Sequence, residues 1–410
     1  MTYAMVLPLI TVFGCLVVGC AESSTAQRAI AEYHAGRYTA AQQILDPLAR
    51  QTDGDFVLNN VRLGSTMLAQ GKLDEAEAAF ERACEVINSA GINKGAREVA
   101  ALTVSERAKI WKGEPFERAM ASFYLGLICQ KRGDYGNAKA AFENALFKLQ
   151  DYDKAGSATQ CAESDFVIAH LMLGRCCQRL NDQAAARAWF SRASSIRPQV
   201  STIADYDVQQ RSNVLLIIDY GHGPQRDYVY SGRATTSVPG NTTTTPYAGE
   251  FKGFAPRPAD VGSVPQPQIT IDEVLAVPAS LTIPPIDLLQ MAQQKRWQAL
   301  ETIQKVRSNT VDVVTFLGGP VGIVVGTIAH IVTDPDDRQW GMLPRTVFIV
   351  PLRLEPGHHA IDISFPDGST PSARVQVETS ATGDVVAYAR MTPPFQPLPI
   401  KYTEALEAMQ

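Results

Sequence analysis

Small and bulky apolar positions recur at fixed offsets along the first half of the chain. With Gly64, Gly126 and Gly174 as anchors, a turn residue follows at seven (Gly71, Gly133, Asn181) and an alanine at twelve (Ala76, Ala138, Ala186). A bulky ring follows at sixteen (Phe80, Phe142, Phe190) and an alanine at nineteen (Ala83, Ala145, Ala193). A weaker copy begins at Ala29, with Gly36, Ala41, Leu45 and Leu48 at the same offsets. Such spacing on either side of a turn predicts two antiparallel helices per copy. The small residues let the helices cross closely, Gly126 meeting Ala138, and the turn glycine supplies the backbone freedom that ends the first helix. The ring at offset sixteen is expected to fill the space between neighbouring copies.

This pattern resembles the tetratricopeptide repeat, most closely at Leu125-Gly126, Gly133-Asp134-Tyr135, Ala138, Phe142 and Ala145, with Pro198 closing the last copy. The anchors are 35, 62 and 48 residues apart, so against a period of about 34 the second and third gaps carry inserts of roughly 28 and 14 residues. The larger insert holds Trp111-Lys112-Gly113-Glu114-Pro115-Phe116-Glu117-Arg118, expected to be an ordered loop folded onto the array as a packing plug. In such arrays the first helices line a concave binding surface. By register that surface includes Gln130, Lys131, Arg175, Gln178 and Arg179, and Arg175 and Arg179 share one helix face. The expectation is a basic, protein-binding groove that receives an acidic segment or a C-terminal carboxylate.

Beyond Pro198 the helical period stops. Val214-Leu215-Leu216-Ile217-Ile218 reads as a buried strand, followed by the turn-rich Tyr220-Gly221-His222-Gly223-Pro224. Residues 231–268, rich in Gly, Pro, Thr and Ser, read as a flexible loop or extended arm. Val311 to Val332 is apolar but broken by Asp312, Gly318-Gly319-Pro320 and His330. It reads as a bent buried segment or a membrane-contacting helix with a glycine stripe at 318, 322 and 326. Val347 to Leu354 and His359 to Phe365 alternate around Pro356-Gly357 as a hairpin, and Val375 to Glu378 adds a strand. The fold class is therefore α+β: a helical repeat domain over 20–204, then a mainly β domain over 205–396 with a Gly-rich apolar helical segment, and a tail over 397–410.

Before the repeats, Met5 to Val18 carries no charge and leads into Val17-Val18-Gly19-Cys20, after which the chain turns polar. These 14 residues are short against the roughly 20 that a bilayer-spanning helix needs. A signal peptide over 1–19 is the expectation. The last four residues resemble the lipobox of bacterial lipoproteins, which implies acylation of Cys20. No Lys or Arg precedes Cys20, unlike the usual signal peptide, and Val12-Phe13-Gly14-Cys15 is a weaker competing lipobox. In that lipoprotein family an aspartate after the cysteine favours inner-membrane retention; Ala21 in its place favours the periplasmic face of the outer membrane where the cell has two membranes. Cys84, Cys129, Cys161, Cys176 and Cys177 would remain after processing; Cys84, Cys129 and Cys177 fall on helix faces expected to be buried, so free core thiols are expected.

Charge narrows the partners. Thirty-seven basic against 42 acidic residues leave a net charge of −5, and no basic run interleaved with aromatics suggests a nucleic-acid surface. No Cys-x-x-Cys, His-x-x-x-His, phosphate loop or Gly-x-Ser-x-Gly elbow occurs, so neither a metal nor another cofactor is expected. His358-His359 beside Asp362, with His222 brought in by folding, is a conceivable metal site, but adjacent strand residues point to opposite faces. An enzyme reading nominates no residues; clustering of Asp362, His358 and His222 around one pocket would be its sign.

Lys112 to Arg118, the Gly-rich apolar run, Asp337-Arg338-Gln339-Trp340-Gly341-Met342-Leu343-Pro344 and Leu354-Glu355-Pro356-Gly357-His358-His359 together resemble a family of uncharacterised bacterial tetratricopeptide lipoproteins. The resemblance implies a place in the cell envelope and a link to cell-wall synthesis; it brings no catalytic residues. Three functions follow as expectations: a lipid-anchored, non-enzymatic scaffold for envelope proteins, a regulator of peptidoglycan synthesis with the same architecture, or an enzyme in the C-terminal domain.

Overall fold

A computed structural model of the chain describes residues 24–89, 110–149, 166–208, 212–238, 241–256, 263–293, 338–366, 368, 370–380 and 384–394. The signal and lipobox region, Cys161, the apolar run 311–332 and the tail 397–410 lie outside the described residues.

Four helical hairpins form the N-terminal part: α1 (Ser24–His34) with α2 (Tyr38–Ala49), α3 (Phe56–Ala69) with α4 (Leu73–Asn88), α5 (Pro115–Lys131) with α6 (Tyr135–Phe147), and α7 (Val167–Arg179) with α8 (Gln183–Ile196). The short α9 (Ser201–Val208) closes the array. Each hairpin packs on the next through α2 on α3, α4 on α5 and α6 on α7. The turn residues do what the pattern requires: Gly36, Gly71 and Gly133 take φ between 73° and 77°, and Asn181 takes 62°. Asp134 and Asp182 then cap the second helices, accepting the backbone N–H of Asn137 and Ala185 at 3.1 and 2.9 Å.

The rings at offset sixteen sit closer to home than expected. A methyl group on Gly126 would lie 2.7 Å from Phe142 Cε1, and the same holds for Gly174 on Phe190 (2.7 Å) and Gly64 on Phe80 (2.8 Å). Glycine is thus demanded by the ring of its own hairpin rather than by the alanine at offset twelve. Phe80 also stacks on Tyr124 of the following hairpin at 5.6 Å, so one ring closes both gaps.

Helices α3, α5 and α7 are buried on nearly every face, which a helix accepts only when it is covered on two sides. The second cover is a β unit. One sheet consists, in spatial order, of β10 (Val385–Met391), β1 (Val214–Tyr220), β7 (Thr346–Leu352) and the edge strand β6 (Ile286–Asp287). Strand β1 runs parallel to β10 and antiparallel to β7. Strands β1 and β7 are buried along their whole length, which explains their unbroken apolar runs. The other sheet consists, in spatial order, of β5 (Leu275–Ala276), β4 (Gln268–Ile271), β8 (Gly357–Ser364) and β9 (Ala373–Thr379). Phe365 bridges the sheets, its ring 4.1 Å from Tyr220 and 5.9 Å from Phe348. Helices and sheets share one contiguous core.

The expected flexible loop over 231–268 is corrected over most of its length. β2 (Gln225–Val238) and β3 (Asn241–Ala255) pair as a two-stranded antiparallel ribbon, from Gln225↔Ala255 out to Val238↔Asn241. The threonines and tyrosines that look like loop composition are also good strand formers, and Pro239-Gly240 lies between the two strands. Among the described residues no helix is long and apolar enough to cross a membrane.

Candidate functional site

The concave face of the array is not an open groove: β10 lies against α3 and α5. Arg175 is only 2% exposed and donates from Nη1 to Asp207 (2.9 Å) and Ser212 (2.6 Å), and from Nη2 to Asp384 at 2.5 Å. Arg179 reaches the same Asp384 oxygen at 3.1 Å. Gln178 donates to the Asp207 carbonyl (2.6 Å), and Lys131 to the Val386 carbonyl (2.5 Å). Gln130 is buried and accepts the Cys176 thiol at 3.9 Å. All five groove residues are therefore engaged within the chain. Arg175 and Arg179 meet acids of the chain itself, Asp207 of α9 and Asp384 just before β10.

Burial pushes the Asp207 carboxyl above its ordinary value, against the pull of Arg175. Burial also works against the Arg175 cation, and the two carboxylates overcome it and keep the guanidinium charged. Desolvation offsets most of the Coulomb gain in such a buried network, whereas removing one partner leaves a buried charge uncompensated.

A second fastening uses the larger insert. Trp111 is buried, its backbone N–H donates to Gly54 O at 2.8 Å and its indole to Arg338 O at 3.2 Å. Glu117, in the first turn of α5, accepts the N–H of Glu114 at 2.8 Å and that of Trp340 at 2.6 Å. The first bond belongs to a capping box; the second comes from the β unit. The Trp340 indole donates to Ser65 at 3.2 Å, Arg62 donates to Gln339 O at 2.8 Å, and Arg338 pairs with Asp55 at 2.9 Å. Arg226 forms an ion pair with Glu114. The two sequence motifs around Glu117 and Trp340 are halves of one clasp.

A third contact centres on the buried Asp219 of β1, which accepts the phenols of Tyr124 on α5 (2.6 Å) and Tyr388 on β10 (2.8 Å). Arg390 binds the carbonyls of Asp219 (3.1 Å) and Gly221 (2.7 Å) and donates to Tyr33 of α1 at 3.2 Å. Nothing in the local sequence marks Asp207, Asp219 or Asp384 as interface residues, since each reaches its partners across the chain.

The conceivable enzymatic cluster is not assembled. His222 is buried against the His34 ring (4.6 Å between centroids), His359 binds Asp272, Asp362 pairs with Arg374, and His358 is exposed near Glu378. Among the described residues no group of three or more His, Cys, Asp or Glu is placed to hold a metal ion. Cys84, Cys129, Cys176 and Cys177 are buried and unpaired, and burial pushes the Cys84 and Cys129 thiols up to about 11.

These features define a helical-repeat protein whose array is joined along its concave side to a β unit. The tetratricopeptide repeat model matches residues 59–89 and 167–200, covering the second and fourth hairpins. Among solved structures the chain is similar to MamA AMB-1 (17% identity, TM-score 0.30, covering 46% of this chain and 89% of that one). It is similar also to PilW, a type IV pilus biogenesis factor (15%, TM-score 0.25, 45% and 83%). A further similarity is to a thermophilic TPR protein of Thermus thermophilus (18%, TM-score 0.22, 47% and 96%). No curated protein matches the chain.

Proposed function

We propose that this protein is a non-enzymatic scaffold of the bacterial cell envelope, tethered to a membrane through an acylated Cys20 and recruiting other envelope proteins. The observation that carries the scaffold reading is the tetratricopeptide array itself, a fold that offers long, rigid helical surfaces to protein partners. Because the concave face is covered by the β unit, the surfaces left for partners among the described residues are the outer helices α2, α4, α6 and α8 and the outward face of the sheet that holds β8 and β9. The tether rests on Val17-Val18-Gly19-Cys20 after an uncharged apolar run, with the outer membrane favoured by Ala21.

The anchor is tested by metabolic labelling with palmitate and fractionation of wild type and Cys20→Ala. The wild type should carry label and sediment with membranes, and the variant should do neither; an unlabelled wild type overturns the anchor. Cross-linking of the membrane fraction followed by mass spectrometry tests the scaffold, which fails if no envelope protein is linked to the described surfaces. Regulation of peptidoglycan synthesis is the narrower task implied by the likeness around Lys112 to Arg118 and Asp337 to Pro344. Adding the purified protein to a synthase assay and finding no change in rate would count against it.

A further inference from the structure

Three cations converge where the second and third hairpins meet. Lys112 stands in the insert just before α5, Arg118 in the first turns of α5 and Lys148 at the cap that follows α6, and all three are half-buried. Contacts among their neighbours bring them together. Lys112 Nζ donates to Ser89 O at 2.9 Å, where α4 ends. Asn144 Nδ2 donates to Ser122 Oγ of α5 at 3.0 Å and to Asn88 Oδ1 of α4 at 3.4 Å. Arg118 lies one turn before Ser122 and Lys148 one turn after Asn144, so each shares the helix face that carries this bond.

These charges lack counter-ions. Among the described residues none of the three forms an ion pair, and the buried Nε of Arg118 has no acceptor. The acids of that turn are committed elsewhere, Glu114 to Arg226 and Glu117 to the N–H groups of Glu114 and Trp340. Burial holds all three cations below their ordinary values; Arg118 adds to the effect on Lys112, and Arg118 and Lys112 both add to it on Lys148. Only on Arg118 do Glu114 and Glu117 work the other way. The helix dipole accounts for Lys112 and Lys148, which stand at the negative ends of α4 and α6, but it disfavours Arg118 at the positive end of α5. An anion would relieve a like-charge cluster that is partly withdrawn from water.

Charge and donor geometry select the ligand. A carboxylate brings one negative charge, whereas a phosphate monoester brings about −1.5 to −2 near neutral pH together with three acceptor oxygens. The Arg118 guanidinium offers a planar fork to two such oxygens, and the two ammonium groups act as point charges. We propose that Lys112, Arg118 and Lys148 form a site that binds the phosphoryl group of a phosphate monoester at the junction of the second and third hairpins. The bound group would bridge α5 and α6 and tie the two hairpins together. This site goes beyond the scaffold reading and does not depend on it.

The test uses the full chain with glycerol phosphate as the soluble probe, and vesicles of phosphatidylcholine with or without phosphatidate as the lipid-borne form of the same group. Calorimetric titration at fixed ionic strength should show glycerol phosphate binding that falls about tenfold or more in Arg118→Gln and in Lys148→Gln. Lys139→Gln, whose cation pairs with Glu143 outside the cluster, should bind as the wild type does. Urea midpoints near the wild-type value show that the variants fold, and Lys112→Gln replaces either one that does not. The vesicle arm carries Cys20→Ala, so that an acyl anchor cannot drive sedimentation. Binding of glycerol phosphate without phosphatidate-dependent sedimentation assigns a soluble monoester; sedimentation that needs phosphatidate and is lost in Arg118→Gln assigns a lipid headgroup. If neither probe binds, if succinate binds as well as glycerol phosphate, or if the cluster variants bind like the wild type, the proposal is overturned. Cross-linking of envelope proteins is untouched by any of these outcomes, so the site and the scaffold fail separately.

Discussion

The carboxylate of Glu117 accepts the backbone N–H of Trp340 at 2.6 Å across 223 positions of sequence, and the same carboxylate closes the first turn of its own helix. One side chain therefore starts helix α5 and pins the β unit to it. Burial pushes this carboxyl up to about 7, with Arg226 pulling it down.

Its folded value lies above the ordinary 4.5, so the folded protein holds this proton more tightly than the unfolded chain. The contribution of Glu117 to stability is then fully present below about pH 4.5, declines as pH rises toward 7 and is lost above it, by about 3 kcal/mol at most. Urea unfolding at pH 5 and pH 8 should show this slope in the wild type and a flatter one in Glu117→Gln. That variant should also lose about 1–3 kcal/mol, because an amide nitrogen cannot accept the second N–H. Identical slopes would contradict the assignment.

Gly126→Ala should cost about 1–3 kcal/mol, because the new methyl lies 2.7 Å from the Phe142 ring. Adding Phe142→Leu should recover part of the loss, and denaturant midpoints of the single and double variants decide it. Ala138→Leu, at a fully buried position of α6, should destabilise by a similar amount.

Asp384→Asn leaves Arg175 and Arg179 without their shared carboxylate, and Arg175 is 2% exposed, so a loss of about 3–5 kcal/mol is expected. Arg179→Ala should cost far less, since its side chain is 30% exposed. Equal effects of the two substitutions in chemical unfolding would refute the buried network.

The thiols of Cys84, Cys129, Cys176 and Cys177 should resist Ellman's reagent in the native protein and react on unfolding, because burial withholds the thiolate. Rapid native labelling of any of the four would contradict their placement.

Much of this molecule was legible in the chain. The hairpins at Gly71, Gly133 and Asn181 follow from local chemistry: a residue that tolerates positive φ ends one helix, an aspartate or other polar residue opens the next, and apolar period sets which faces pack. The buried strand at Val214 to Ile218 was equally plain. The ribbon over 225–255 was not, because threonine, glycine and proline serve loops and hairpins alike, and only cross-strand pairing distinguishes them.

The basic positions Lys131, Arg175 and Arg179 could be placed on one surface from helical register alone. Which groups of the chain answer them could not. Asp384 lies 209 residues from Arg175, with no period or motif linking the two, and its selection depends on β10 inserting parallel to β1 and carrying its first residues onto the array. Periodicity is a local property and survives in the sequence; the partner of a buried charge is settled only when distant segments share one core, where leaving that charge unpaired would cost more than the docking gains.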